Sequence, residues 1–128
     1  MVWTYMELGL DLGGQKDDQR RAVVGNLIRL LQLPPKPVAF WPVSVLRDGE
    51  LVPDREMFWR GWQRWKTAHI VCFGQEAARI ILPDADSNLS VHMLSEVMVH
   101  VLPSMEQLVQ MSPQEISAAV KMLAAIRF

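Results

Sequence analysis

The chain has 128 residues, of which 50% are hydrophobic and 21% charged, with 8 Met, 5 Trp and a single Cys. That length fits one domain, residues 1–128, with a core large enough to need no disulfide or metal staple. The lone Cys72 excludes an intrachain disulfide, a Cys-based zinc site and a four-thiolate iron–sulfur cluster, so no cofactor is expected. Thirteen basic against fourteen acidic residues leave a formal charge of −1, with no basic field of the kind that announces nucleic acid. No apolar run reaches the ~20 residues of a membrane span and no leader pattern opens the chain. A soluble, cytoplasmic protein without a membrane partner is expected.

In chain order, residues 1–16 mix apolar side chains with Gly9, Gly13 and Gly14 and read as an extended arm followed by a turn. Two alternatives stand: an arm that docks on a partner through Trp3 and Tyr5, or an edge strand of the domain itself. From Asp17 to Leu33, Val23, Val24, Leu27, Leu30 and Leu31 recur at helical spacing, and Pro34-Pro35 stops the helix. Val38-Ala39-Phe40-Trp41 is a short strand closed by Pro42, and a loop with a turn at Arg47-Asp48-Gly49-Glu50 follows. Asp54 caps a helix to Lys66 with Phe58, Trp62 and Trp65 on one face. His69 to Phe73 reads as a strand buried on both sides, Gly74 as a turn, and Gln75 to Leu82 as a short helix. Residues 83–95 read as polar loop and Val97 to Val101 as a third strand before Pro103. Ser104-Met105-Glu106-Gln107 and Ser112-Pro113-Gln114-Glu115 are capping boxes that open two final helices. Short strands alternating with helices predict an α/β fold: three αβα layers around a small, mostly parallel sheet.

Sites in such sheets lie at the carboxyl ends of the strands. The Phe73-Gly74-Gln75-Glu76 junction offers free helix amides, yet one glycine is no phosphate fingerprint and Glu76 opposes an anion. His69, His92 and His100 stand at no metal-ligand spacing, so no metal is expected. Cys72 sits mid-strand, where burial raises a thiol's pKa and argues against a nucleophile. Arg55 to Lys66 carries four basic residues, one acid, three Trp and one Phe. Basic and aromatic interleaving is the composition of single-stranded nucleic-acid grooves; the alternative is an apolar face on the sheet and a solvated basic face. Arg55, Arg60 and Arg64 are the candidate phosphate contacts. Trp59 lies off the apolar stripe and is expected to be exposed for a partner contact.

Three segments together carry a family resemblance. They are Val38-Ala39-Phe40-Trp41-Pro42-Val43-Ser44, then Ile70-Val71-Cys72-Phe73-Gly74-Gln75-Glu76-Ala77-Ala78-Arg79-Ile80-Ile81-Leu82, and last Val99-His100-Val101-Leu102-Pro103-Ser104. Over about 90 residues, Val38 to Leu123, this order resembles the small uracil-DNA glycosylases that usually hold an iron–sulfur cluster. The resemblance implies a pocket formed by Trp41, Pro42, Gly74, Gln75, Leu102, Pro103 and Ser104. It also implies a degenerate one. The family's Asn falls on Pro42 and its His on Leu102, its cluster cysteines are reduced to Cys72, and its water-activating loop survives at most as Gly13-Gly14. Base excision needs a polar group to read the flipped base and a donor for the leaving anion. The chain is therefore similar to the non-catalytic psi-subunit family of the bacterial DNA polymerase III clamp loader.

The expected function is thus a catalytically inactive glycosylase-like domain that acts as a protein–protein or nucleic-acid assembly module in DNA replication or repair. The alternative is an enzyme of the same fold whose chemistry has moved to His92, His100 or Glu76 and acts on nucleic acid or a nucleotide. A protein partner is expected, weak single-stranded nucleic-acid binding is a further option, and the abundance of Met and Trp leaves room for a homodimer.

Overall fold

Val2-Trp3-Thr4-Tyr5 forms β1 (Val2–Tyr5) in the computed structural model of the chain, which describes residues 1–12, 17–31, 38–84, 86, 88–94 and 96–121. This strand is interior, which corrects the expectation of an arm or an edge. It pairs in parallel with β2 (Ala39–Phe40) on one side and β5 (His69–Phe73) on the other. All four of its residues are buried, because helices cover both faces of the sheet at that point. Trp3, 0% exposed, packs edge-on against Phe40 and Phe73, so neither Trp3 nor Tyr5 is a surface contact.

The sheet order is β2-β1-β5-β7-β6, with β7 (Met98–Leu102) parallel to β5 and β6 (Val91–Met93) antiparallel to β7. The mostly parallel sheet and the α/β class match expectation. β6 does not: it lies in the stretch read as polar loop, and it moves His92 from a loop into a strand. Three residues are too few to show a period, and only pairing with β7 makes them a strand. The chain runs from β1 outward to β2 and then returns across β1 to β5. The connection thus reverses at the β1/β5 boundary, where open α/β sheets place their sites.

One face is covered by α2 (Asp18–Leu30), α5 (Met105–Gln110) and α6 (Pro113–Ala119). Their Val23, Leu27, Met105 and Leu108 pack on Trp3, Tyr5, Val71, Phe73 and Leu102. The other face is covered by α3 (Arg55–Trp65) and α4 (Gln75–Ile81). There Phe58, Trp62, Ala77, Ala78 and Ile81 pack on Val2, Ile70, Cys72, Val99 and Val101. Asp17, Asp54, Ser104 and Ser112 accept from backbone amides as helix caps, and the two serines complete both expected capping boxes.

The segment after Pro42, expected as loop, is a hairpin of β3 (Ser44–Arg47) and β4 (Glu50–Pro53). Its Asp48-Gly49 turn has φ of 51° and 82°, the paired positive values that the right-handed twist of a two-residue hairpin demands. The hairpin leans on α1 (Leu8–Leu12), where Ser44 Oγ donates to the Met6 carbonyl. The expected Gly13-Gly14 turn, the Pro34-Pro35 stop, the Trp65 side chain and the end of the last helix beyond 121 lie outside the described residues.

Candidate functional site

The carboxyl ends of the parallel strands bring together five of the seven residues of the anticipated pocket. Phe73 is in register with Leu102, and the Gly74 amide donates to the Leu102 carbonyl at 2.8 Å. Gly74 has φ 107°, and a Cβ there would stand 3.2 Å from the Ser104 Cβ, so glycine is required where the two strands leave the sheet. Gln75 is exposed, Pro103 and Ser104 are half-buried, and Leu102 is 6% exposed within the core.

Trp41 and Pro42 leave from β2, with β1 intervening. Trp41, expected as part of this pocket, packs toward α3. Its Nε1 donates to the Met57 carbonyl at 3.1 Å, and its ring lies over Gly61. Pro42 is buried.

Sequence reading missed the polar cluster at the reversal point. The Tyr5 hydroxyl, at the carboxyl end of β1, donates to Asp11 Oδ2. Arg20, in the first turns of α2, holds the same carboxylate from Nη2 at 2.7 Å and from Nε at 3.2 Å, and stands 3.8 Å from Asp17. Burial, then the bond to Asp11, pushes the Tyr5 phenol well above its ordinary range. The hydrogen bond to Asp11 likewise raises the Arg20 guanidinium. Acid, phenol and guanidinium are thus satisfied by one another, and the cluster ties β1 to α1 and α2. No spacing rule links residues 5, 11 and 20 before the chain is folded.

Beside this cluster a cleft of about 520 Å3 opens between the start of α2 and α5. Glu7, Asp17 and Glu106 outnumber Arg20 along it, and Met105 and Val109 supply its apolar wall. A carboxylate-rich wall repels phosphate. The chain leaves β1 through Met6 and Glu7, and Glu7 lines this cleft.

Helix α3 sorts its mixed composition by face. Phe58 and Trp62 are buried as expected. Trp59 is not exposed: it is half-buried against the core, with rings of Phe58 and Trp62 at 5.3 and 5.7 Å, and its Nε1 donates to the Ile81 carbonyl. The indole closes the carboxyl end of α4, which is why a residue off the apolar stripe turns inward. Arg55 donates to the same carbonyl. Arg60 pairs with Glu56 at 2.6 Å in full solvent, and Arg64 is exposed. Arg60 and Arg64 thus stand in solvent, Arg55 shares the Ile81 carbonyl with the half-buried Trp59, and burial removes Phe58 and Trp62 as stacking platforms.

At the opposite, amino-terminal edge, β5 and β7 bring two histidines together. His69 Nδ1 and His100 Nε2 are 3.1 Å apart, and His100 is 4% exposed. Burial lowers both imidazoles, helped at His69 by the Met1 amino group and at His100 by His69. Residues 69 and 100 are 31 apart in sequence, and only the parallel register joins them. Cys72 is fully buried in β5, and burial pushes its thiol far up. Among the described residues no three His, Cys, Asp or Glu side chains converge on a metal position, and no helix is long and apolar enough to cross a membrane. No known family model and no curated protein matches the chain.

Proposed function

We propose that the chain is a catalytically silent α/β domain of the uracil-DNA glycosylase-like superfamily, similar to the psi subunits of bacterial clamp loaders. In this reading it serves as an assembly module in DNA replication or repair. The observation that carries the proposal is the state of the carboxyl edge. Where the resemblance demands an amide and an imidazole, Pro42 and Leu102 are buried apolar residues. The nearest acid, phenol and guanidinium are consumed by one another.

Two features favour a protein partner over nucleic acid. The cleft at this edge is acidic, and Trp59 and Trp62 of the basic helix face inward. The test has two arms. Uracil-containing single- and double-stranded oligonucleotides incubated with the protein are expected to yield no abasic sites on alkaline cleavage. Tagged protein expressed in its native cell is expected to co-purify at constant stoichiometry with a replication or repair protein. Base release would overturn the proposal in favour of relocated chemistry, and elution of the chain alone would remove the assembly role.

A further inference from the structure

The amino-terminal edge of the sheet carries a constellation of soft donors that sequence spacing conceals. Met93 on β6 is the direct cross-strand partner of Met98 on β7, and Met98 is the direct partner of His69 on β5. Directly paired residues point to the same face of a sheet. Met93, Met98 and His69 therefore form one row across three strands. His100, two residues beyond Met98, lies on that face in the next row and meets His69. A cleft of about 240 Å3 opens on the row, lined by His69, Met93, Met98 and Glu96 among others.

We propose that His69, His100, Met98 and Met93 form a binding site for a soft monovalent cation, Cu(I) being the physiological candidate. Three properties of the site select that ion. Two thioethers with two imidazoles are the donor set of Cu(I), whereas calcium and magnesium take oxygen ligands. The 3.1 Å separation of His69 Nδ1 and His100 Nε2 fits two bonds to one ion. At a metal–nitrogen distance of about 2.0 Å it closes an angle of about 100°, which leaves two tetrahedral positions for sulfur. The four ligands are neutral. The cost of desolvating an ion grows with the square of its charge, so a singly charged ion is favoured over a divalent one, with the Glu96 carboxylate at the rim as counter-charge.

His100 Nδ1 meets no partner among the described residues, so nothing there fixes the tautomer. One hydrogen lies between the two rings in the free protein, and it leaves for the outer nitrogen of whichever ring donates it, Nε2 of His69 or Nδ1 of His100, the other ring already carrying its hydrogen there. Met93, 76% exposed on the edge strand, provides a mobile thioether through which an ion enters from solvent.

The test measures Cu(I), supplied anaerobically, in competition with a chromogenic Cu(I) chelator, with Ag(I) as a redox-inert second probe. The wild-type protein is expected to withdraw one equivalent of either ion. Met98→Leu is expected to weaken binding at least tenfold, and the Met93→Leu/Met98→Leu double variant to abolish it. Circular dichroism checks that these near-isosteric variants are folded. His69→Asn is expected to remove binding as well. Absence of binding by the wild type, unchanged affinity in the double variant, or loss of binding in Cys72→Ala would each overturn the proposal. So would displacement of Cu(I) by an equal concentration of Zn(II), since that would make the imidazoles the whole site.

Discussion

The indole of Trp41 lies so close over Gly61 that a Cβ on Gly61 would fall 2.0 Å from Trp41 Nε1 and Cε2. A glycine in the middle of α3 is unfavourable for a helix, yet here it is what lets β2 lean on α3. Alanine at an open helical position gains about 1 kcal/mol over glycine. Gly61→Ala is expected to show the opposite sign, a loss of about 1–3 kcal/mol, because the indole must leave its pocket and its bond to the Met57 carbonyl. Urea denaturation of the variant checks this, and a Gly61→Ala/Trp41→Leu double variant is expected to recover part of the loss.

The Tyr5–Asp11–Arg20 cluster holds the carboxyl end of β1 to two helices, and its ion pair is 17% and 13% exposed at the side chains. Asp11→Ala leaves a phenol and a guanidinium half-buried without their acceptor. A loss of about 1–3 kcal/mol is expected in chemical denaturation. Tyr5→Phe removes one donor and leaves the ion pair in place, so its loss is expected to be smaller, about 1 kcal/mol.

The histidine pair makes stability depend on pH. Both imidazoles have folded pKa values below the ordinary value of about 6.5, first because of burial. Below pH ~6.5 the unfolded chain binds more protons than the folded one. Stability is therefore full above that pH, falls as pH drops through it toward the folded values, and levels off once the folded protein is protonated too. Thermal melts between pH 8 and pH 5 in the presence of a metal chelator check this. His100→Leu is expected to flatten the profile.

Ser104 and Ser112 each accept from the amide three residues on, at 3.2 Å, while Gln107 and Glu115 return the bond. Ser104→Ala is expected to cost about 0.5–2 kcal/mol. It also loosens α5, whose Met105 and Leu108 are core residues. Amide exchange in α5 distinguishes a lost cap from a global change: local exchange is expected to rise beyond what the fall in global stability explains.

Much of the architecture was legible because it rests on local chemistry. Helices α2 to α6 announce themselves through caps and apolar spacing, and β5 through a run of five residues with no polar interruption except His69. The hairpin carried its own signal in Asp48-Gly49 between Val45-Leu46 and Leu51-Val52, and the turn was recognised without the strands. β1 misled for a physical reason. Its four residues are apolar or β-branched on both faces, which marks an interior strand, but the glycines after it drew the reading toward an arm.

The candidate sites were the least legible. Trp59 looked available because helical spacing assigns faces relative to one partner, whereas α3 packs against the sheet and against α4 as well. The amino-acid sequence by itself, through its caps, turn residues and apolar runs, determined helices α2 to α6, strands β2, β5 and β7, the α/β class and the single thiol. Which residues meet across the sheet was decided only by the tertiary structure. Strand order and register are cooperative properties of the whole sheet, and they bring His69 to His100 and Met98 to Met93, while the packing of α1 and α2 at the end of β1 brings Tyr5 and Arg20 to Asp11. The single cysteine, which excluded a thiolate metal site, leaves soft-ion binding to thioethers and imidazoles that no spacing rule could have joined.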